Sequence, residues 1–440
     1  MKRHELDMTV GKIWPVLLTF TVPLLFENLL QLLYNTADSI VVGQYVGISA
    51  LAAVSATTHI CGMLVRFFNG TAVGAGVVIS QSFGSKDEKK LLSSIQTTLL
   101  LTFIACILLT FTGIMCSEWL LRKISTPSDV FKEANLYLKI YFGGISGLLI
   151  YNMGGAVLRA MGDSRRPLLF LIFCSVLNII LDLIFVVYFH WGIAGVAFAT
   201  IIAQMISALL VLYVLASSTC ALKNLHIDKK IAARILQIGL PVGIQMAIVA
   251  FSNVFVQSYI NYFGTACIAG WGIYVKLDQY MMLPIQSMGQ AVTIFTGQNL
   301  GAGQIERANK GTWVAFGIII SVSSCVASIL YIFAPNLSNL FSPDAEVIKY
   351  GALFIRLCSP IATVCCFNQV LSGALRGYGD SKSPMIITLC THVIFRQIYL
   401  YFITKLIPDN FYVVAFGYPA GWILCAIAMS IFYFTANRKN

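Results

Sequence analysis

Apolar residues in this chain do not alternate with polar ones at the spacing of a half-buried strand or a surface helix. They come in unbroken runs. Leu91–Met115, Leu168–Phe189, Gly192–Ala216, Trp313–Ala334 and Val413–Thr435 are clear cases, with no Lys or Arg inside. Each is long enough to cross about 30 Å of hydrocarbon as a helix, which needs about 20 residues. In lipid every backbone N–H and C=O must be paired within the protein, and a helix does this internally. Weaker runs fill the rest of the chain. The pattern predicts an all-α integral membrane protein with twelve transmembrane helices, centred near residues 25, 62, 103, 147, 178, 204, 248, 282, 323, 362, 394 and 424.

The pattern repeats. Arg159-Ala-Met-Gly162-Asp163-Ser164 before Pro167 returns as Arg376-Gly-Tyr-Gly379-Asp380-Ser381 before Pro384, 217 positions later. The same shift carries Gln81 to Gln298, Gly84 to Gly301 and Gly47 to Gly264. Two pseudo-symmetric six-helix bundles are expected: an amino-terminal lobe, residues 1–220, a cytoplasmic linker, 221–233, and a carboxy-terminal lobe, 234–440. Paired bundles of this kind are a common architecture of alternating-access transporters. In the two Gly-Asp-Ser turns, Gly permits a tight turn, Asp and Ser cap the next helix, and Pro suits its first turn. Arg159 and Arg376 are expected to pair with Asp163 and Asp380 or with lipid headgroups. Gly70, Gly74 and Gly76, and Gly297, Gly301 and Gly303, read as close helix packing.

Composition agrees with the pattern: 58% of the 440 residues are hydrophobic and 11% charged, against about 25% charged in soluble domains. The charge sets the topology. Lys86, Lys89, Lys90, Arg165, Arg166, Arg307, Lys310, Lys382 and both chain ends fall on one side, while the alternate loops hold only Arg122, Lys123, Lys132, Lys349 and Lys405. By the positive-inside rule both termini face the cytoplasm of a cell-membrane protein. The net charge of +11 is thereby spread over many small turns, which suits anionic headgroups and not nucleic acid. The basic start leads into a run that holds Pro23 and Glu27, which reads as a first span and not as a cleaved leader. The 12 cysteines are scattered without a CxxC pair and read as buried small hydrophobes. Five scattered His, with no metal-ligand spacing, argue against a membrane enzyme, and no metal or organic cofactor is expected.

Ionisable groups within spans cost several kcal/mol and usually mark function or a paired structural site. Glu27, Gln31, Tyr34, Asn35 and Asp38 follow at helical spacing along one side of the first span, so a cavity or another polar helix must face them. Pro23, in the same helix, removes a backbone bond and permits a bend, and Pro241 is its near counterpart. Asn178 and Asp182 share one side of the fifth span, with Asp182 about 15 residues, or roughly 22 Å, from the inner end. Two carboxylates sharing a poorly hydrated site cannot both ionise cheaply, so a proton could bind and leave there. Alternatively, each caps or hydrogen-bonds a neighbouring helix. Lys276 and Asp278, two apart, suit either a buried ion pair with other helices or a substrate contact, and Glu27 could join that network. Arg66, Arg356, His392 and Arg396 read as snorkelling or as pairing within their bundle.

Taken together these residues resemble the multidrug and toxic compound extrusion (MATE) family. The resemblance rests on Pro23 followed by Leu-Tyr34-Asn35-Thr36-Ala-Asp38-Ser39, on Gly-Gln298-Asn299-Leu-Gly301-Ala-Gly303, and on the paired Arg-x-x-Gly-Asp-Ser turns. It covers nearly the whole chain. It implies a V-shaped two-lobed fold, a monomer in the bilayer, and export of drug-like amphipathic, often cationic, compounds in exchange for H⁺ or Na⁺. It further implies an ion-coupling set of Asp38, Asn178, Asp182 and Thr200, with Gln31, Tyr34, Asn35 and Tyr137 near the substrate and Pro23 as hinge. One branch of the family also carries acidic residues in the seventh and tenth helices. Residues 235–260 and 350–375 contain none here, which favours the first lobe and H⁺ over Na⁺. The alternative function is a flippase for a lipid-linked sugar or another lipid, for which a cavity rich in Arg and Lys would be expected.

Overall fold

The computed structural model describes residues 5–124, 126–219, 225–407 and 410–437. The side chains of Asn35, Ala37, Asp38 and Ser39, of residues 48–52, 55–56, 58–60 and of 436–437 lie outside the described set. The described chain is helical throughout. The first repeat comprises α1 (Ile13–Val41), α2 (Ile48–Gly84), α3 (Glu88–Lys123), α4 (Phe131–Gly143), α5 (Ile145–Ala160), α6 (Arg165–Leu183) and α7 (Gly192–Thr219). The second comprises α8 (Lys229–Asn261), α9 (Thr265–Gly301), α10 (Ile305–Ile332), α11 (Ala334–Asn339), α12 (Ala345–Ala362), α13 (Cys365–Tyr378), α14 (Lys382–Thr388), α15 (Arg396–Leu406), α16 (Phe411–Ala415) and α17 (Gly417–Asn437).

Nine of these helical stretches are long and apolar enough to cross a membrane. Two more spans are broken: α4 and α5 meet at 48°, and α12 and α13 at 41°. The break falls in the fourth span of each repeat. The remaining span is α9, which at 37 residues exceeds the length needed but carries Lys276, Asp278, Gln279, Gln286 and Gln290 among its apolar residues. Short π-helical segments, Val42–Val46, Ile184–Tyr188 and Leu389–Phe395, interrupt the ladder after α1, after α6 and between α14 and α15.

Contacts group the chain into two units, one of residues 1–7 and 22–240, the other of 8–21 and 241–440. The boundaries fall inside α1, beside Pro23, and inside α8, at Pro241. The lobes expected from the repeat differ from these units at their helical starts. In the first unit Gly239 of α8 lies against α2 so closely that a Cβ on Gly74 would come within 2.5 Å of Gly239 N and Ile235 O. Arg234 donates to Gln81 Oε1 at 3.0 Å. In the second unit Met8 is fully buried. Its N–H donates to Gln298 Oε1 at 3.0 Å, and its carbonyl accepts from Asn299 at 3.3 Å. The repeated glutamines, Gln81 and Gln298, thus hold Arg234 near the start of α8 and Met8 in the segment that leads into α1. Gly303 is not a packing glycine as expected: nothing would meet its Cβ, and its φ of +72° makes it the turn after α9.

The Gly-Asp-Ser turns form, but with Asp alone as the cap: Ser164 and Ser381 stand at the N-cap positions without a side-chain cap hydrogen bond, contrary to expectation, because the aspartate one residue earlier already takes the free N–H groups. Gly162 and Gly379 have φ of +88° and +95°, where L side chains are strained. Asp163 Oδ1 accepts from the N–H groups of Arg165 and Arg166, both at 3.1 Å, and Asp380 Oδ1 from Ser383 N–H at 3.0 Å. The arginines correct the expectation. Arg159 does not pair with Asp163, which Arg166 holds at 3.3 Å. Arg159 Nη1 instead meets Glu27 Oε1 at 2.8 Å. The Tyr151 hydroxyl lies 3.4 Å from the same oxygen and 3.1 Å from Pro167 O. In the second unit Arg376 Nη2 donates to Gln245 Oε1 at 3.2 Å. Glu27 stands four residues past Pro23, and Gln245 four past Pro241. Each motif arginine therefore clasps the opening helix of its own repeat just beyond the proline, with an ion pair in the first unit and a neutral amide in the second.

Glu27 is accordingly not part of a Lys276–Asp278 network. Asp278 accepts from the Tyr274 hydroxyl one turn away at 3.3 Å, and Lys276 lies over the Phe341 ring at 5.5 Å. Arg396 pairs within its unit, donating to Ser252 Oγ and Asn253 Oδ1, both at 2.9 Å, with its guanidinium 4.6 Å above the Tyr418 ring. Arg356 stays exposed beside Tyr331. Three stability outcomes follow. Glu27→Ala strands Arg159 in a place where both partners are mostly covered, and is expected to cost on the order of 3 kcal/mol. Glu27→Gln reproduces the second unit's clasp and is expected to cost less. Gly74→Ala forces α2 from α8 at about 1–3 kcal/mol. Melting temperatures in detergent check all three.

Candidate functional site

The wet and greasy sides of α6 are sharply divided. Beyond Arg165 its exposed positions are Leu169, Ile172, Phe173, Val176, Ile180 and Leu183, an apolar face suited to lipid. Asn178 and Asp182, one turn apart, are fully buried at 0% exposure. Two polar side chains on the buried side of an otherwise greasy helix are held by protein contacts, because hydrocarbon offers them no partner. α6 packs along α7.

α7 carries Thr200, which is 6% exposed. Its hydroxyl donates to Val196 O at 2.9 Å, one turn back. Small residues let the helices of this unit approach closely. A Cβ on Gly144 would meet Ile201 at 2.3 Å, and one on Gly147 would meet the Met205 backbone at 2.8 Å. α5 therefore presses on α7 on either side of the turn that bears Gln204. Three of the expected side chains, Asn178, Asp182 and Thr200, are thus buried on packed helices of one unit.

Gln31 and Tyr34 are half-buried on α1. Asn35 and Asp38 belong to α1 by backbone, with Asp38 in its last turn before the π-helical Val42–Val46, and their side chains lie outside the described residues. Tyr137 sits on α4, stacked on Tyr141 with centroids 6.2 Å apart, and packs against the apolar core of the first unit. Pro23 is inside α1, one residue past the unit boundary and four before the Glu27 clasp. A helix that lacks one hydrogen bond between two fixed segments has its softest point there.

The second unit has a polar face that residue-by-residue inspection of the sequence did not pick out. Lys276, Gln279, Gln286 and Gln290 are exposed down one side of α9. The signal was available, since these positions share a heptad-like spacing, but they are interleaved with Met, Leu and Ile that hide it in any hydropathy average.

The geometry matches known proteins. A family model for MatE matches residues 23–184 and again 241–402. "Probable multidrug resistance protein YpnP" of Bacillus subtilis is 31% identical over 392 residues, 89% of this chain and 88% of that protein. A "FAD transporter" of Shewanella oneidensis is 25% identical over 405 residues, 89% and 88% of the two chains. Among solved structures, an outward-facing multidrug resistance MATE family transporter superposes with a TM-score of 0.92 at 22% identity, over 100% of both chains. Two successive matches to one model, each opening at the proline of its first helix, make this chain a multi-pass membrane transporter of the MatE, or MATE, family.

Proposed function

We propose that the chain is a secondary antiporter that exports amphipathic, cationic small organic compounds from the cytoplasm in exchange for H⁺, with both termini cytoplasmic and a monomer as the working unit. The observation that carries this reading is the fully buried Asn178–Asp182 pair on α6, beside the helix that bears Thr200. A carboxylate in such a place is costly to keep charged and has a use if its charge is cancelled and restored in each cycle. Relatives named as multidrug resistance and multidrug export proteins support the substrate class.

In this mechanism Asp38 and Asp182 take protons from the outside. Their neutralisation releases the cationic compound and favours a bend of α1 near Pro23, and their deprotonation inside restores the negative site. Asn178 and Thr200 supply amide and hydroxyl partners. Gln31, Tyr34, Asn35 and Tyr137 are assigned to substrate binding. The Glu27–Arg159 clasp fixes α1 just past the proline, so a bend is confined to one turn. Exchange of one H⁺ for one monovalent cation moves no net charge, and the pH gradient alone drives it. Each further charge moved inward would add about 2.3 kcal/mol per 100 mV. A flippase would call for a cavity rich in Arg and Lys; the spans of the first unit beyond the clasp carry Arg66, which is exposed, and Lys139, which Glu118 pairs at 3.0 Å, along with the carboxylates Asp38 and Asp182.

Vesicles with pH and Na⁺ gradients imposed separately test the coupling. Asp182→Asn and Asp38→Asn are each expected to reduce pH-driven efflux of a fluorescent organic cation at least about tenfold, at normal expression, with Na⁺ gradients driving neither wild type nor variant. Wild-type rates in both variants would reject the mechanism. Pro23→Ala restores the missing backbone donor and is expected to slow efflux several-fold while leaving dye binding intact, as binding titrations and transport rates on one preparation will separate.

A further inference from the structure

The exposed face of α9 cannot be a lipid face. From Val275 to Asn299 the exposed positions are Lys276, Gln279, Tyr280, Gln286 and Gln290. All are polar or, for Tyr280, amphipathic. The intervening Leu277, Met281, Ile285, Met288, Ala291 and Val292 are buried. From Lys276 to Gln290 the stripe runs about 21 Å along the helix, most of a hydrocarbon thickness. The helices whose outer faces suit lipid look different: α6 exposes Leu169, Ile172, Phe173, Val176 and Ile180, and α17 exposes Leu424, Ile427, Ile431 and Phe434. Amides facing hydrocarbon would lose several hydrogen bonds each with nothing in return. The α9 stripe stays exposed with the whole chain present, so it meets water.

At the amino-terminal end of this wet face stands a cation. Lys276 is exposed and makes none of the ion pairs among the described residues. Its Nζ lies 5.5 Å from the centroid of Phe341, itself 47% exposed. Asp278, two residues on, is turned away and bonded to the Tyr274 hydroxyl at 3.3 Å. An ammonium beside an open aromatic ring, with amides in line below it, can bind an oxyanion attached to a flat apolar body: the charge pairs with Nζ, and the body lies against Phe341 and Tyr280.

We propose that the exposed face of α9 is a ligand wall and that Lys276 binds an acidic group, a carboxylate or phosphate, of the transported compound. This rests on the reading of the chain as an exporter and narrows its substrates to amphipathic compounds that carry an anionic group besides any positive one. The stripe gives the compound's polar edge a path of glutamine amides that both donate and accept. Selectivity lies at Lys276, because only there is a full charge available.

Equilibrium binding separates this inference from the coupling mechanism, since it needs no gradient. The purified full-length chain in zwitterionic-lipid nanodiscs is titrated with two xanthene dyes, one bearing a free carboxylate and the other its ethyl ester. Wild type is expected to bind the carboxylate dye the more tightly. Lys276→Gln is expected to weaken that dye about tenfold and the ester less than about twofold, with Lys276→Arg restoring the preference. Equal affinity for the two dyes in wild type, tighter ester binding, or equal losses for both in Lys276→Gln would overturn the proposal. So would loss of the preference on adding anionic phosphatidylglycerol, which would assign the face to lipid headgroups. The wet face has its own check. With exposed Cys116, Cys325 and Cys390 changed to serine, Gln286→Cys is expected to react with a membrane-impermeant charged thiol reagent and Ile180→Cys is not. An unreactive Gln286→Cys also defeats the proposal.

Discussion

The contact between Arg159 and Glu27, at 2.8 Å, constrains more of this molecule than any other single interaction. It ties the end of α5 to α1 four residues past Pro23, and so decides which part of α1 is rigid. A half-buried ion pair of this kind adds little net stability over an apolar substitute, because desolvation offsets most of the attraction. What it does supply is position. Glutamate and guanidinium tolerate no slip of a helical turn, whereas packed leucines would.

The same clasp in the second unit is a neutral one, Arg376 to Gln245 at 3.2 Å. The repeat thus preserves the geometry while changing the charge. The interior carboxylates of the two halves differ in the same sense. In the first unit Asp182 is buried beside Asn178 on α6. In the second, the long helix α9 exposes amides and a lysine. Two copies of one bundle therefore differ, among other positions, in where a polar group stands on a membrane helix. Each such change costs enough to persist only with a partner, a proton or a ligand.

Much of the fold was legible beforehand. Run length and the absence of charge predict spans, because the bilayer penalises unpaired backbone groups whatever the side chains do. The 217-residue register predicts two like halves, and the glycines at +88° and +95° occupy the turns that Gly-Asp-Ser-x-x-Pro implies. The shared face of Asn178 and Asp182 followed from helical spacing alone. Partner choice did not. Arg159 has Asp163 four residues away in sequence, yet Arg166 and two backbone N–H groups take that aspartate, and Arg159 reaches 132 residues back to Glu27. Glu27, which by sequence could join Lys276 and Asp278, has Arg159 instead, and Asp278 has a tyrosine one turn away.

From its one-dimensional pattern the chain determined its solvent, its number of crossings, its internal duplication and the faces on which polar groups stand, since all of these follow from periodicity and from the cost of polar atoms in hydrocarbon. Only the tertiary structure decided which arginine holds which carboxylate, that the units divide at prolines inside helices, and which polar face of α9 stays open to water. Those depend on helices brought together from distant parts of the chain, and no local spacing encodes the neighbour that packing supplies.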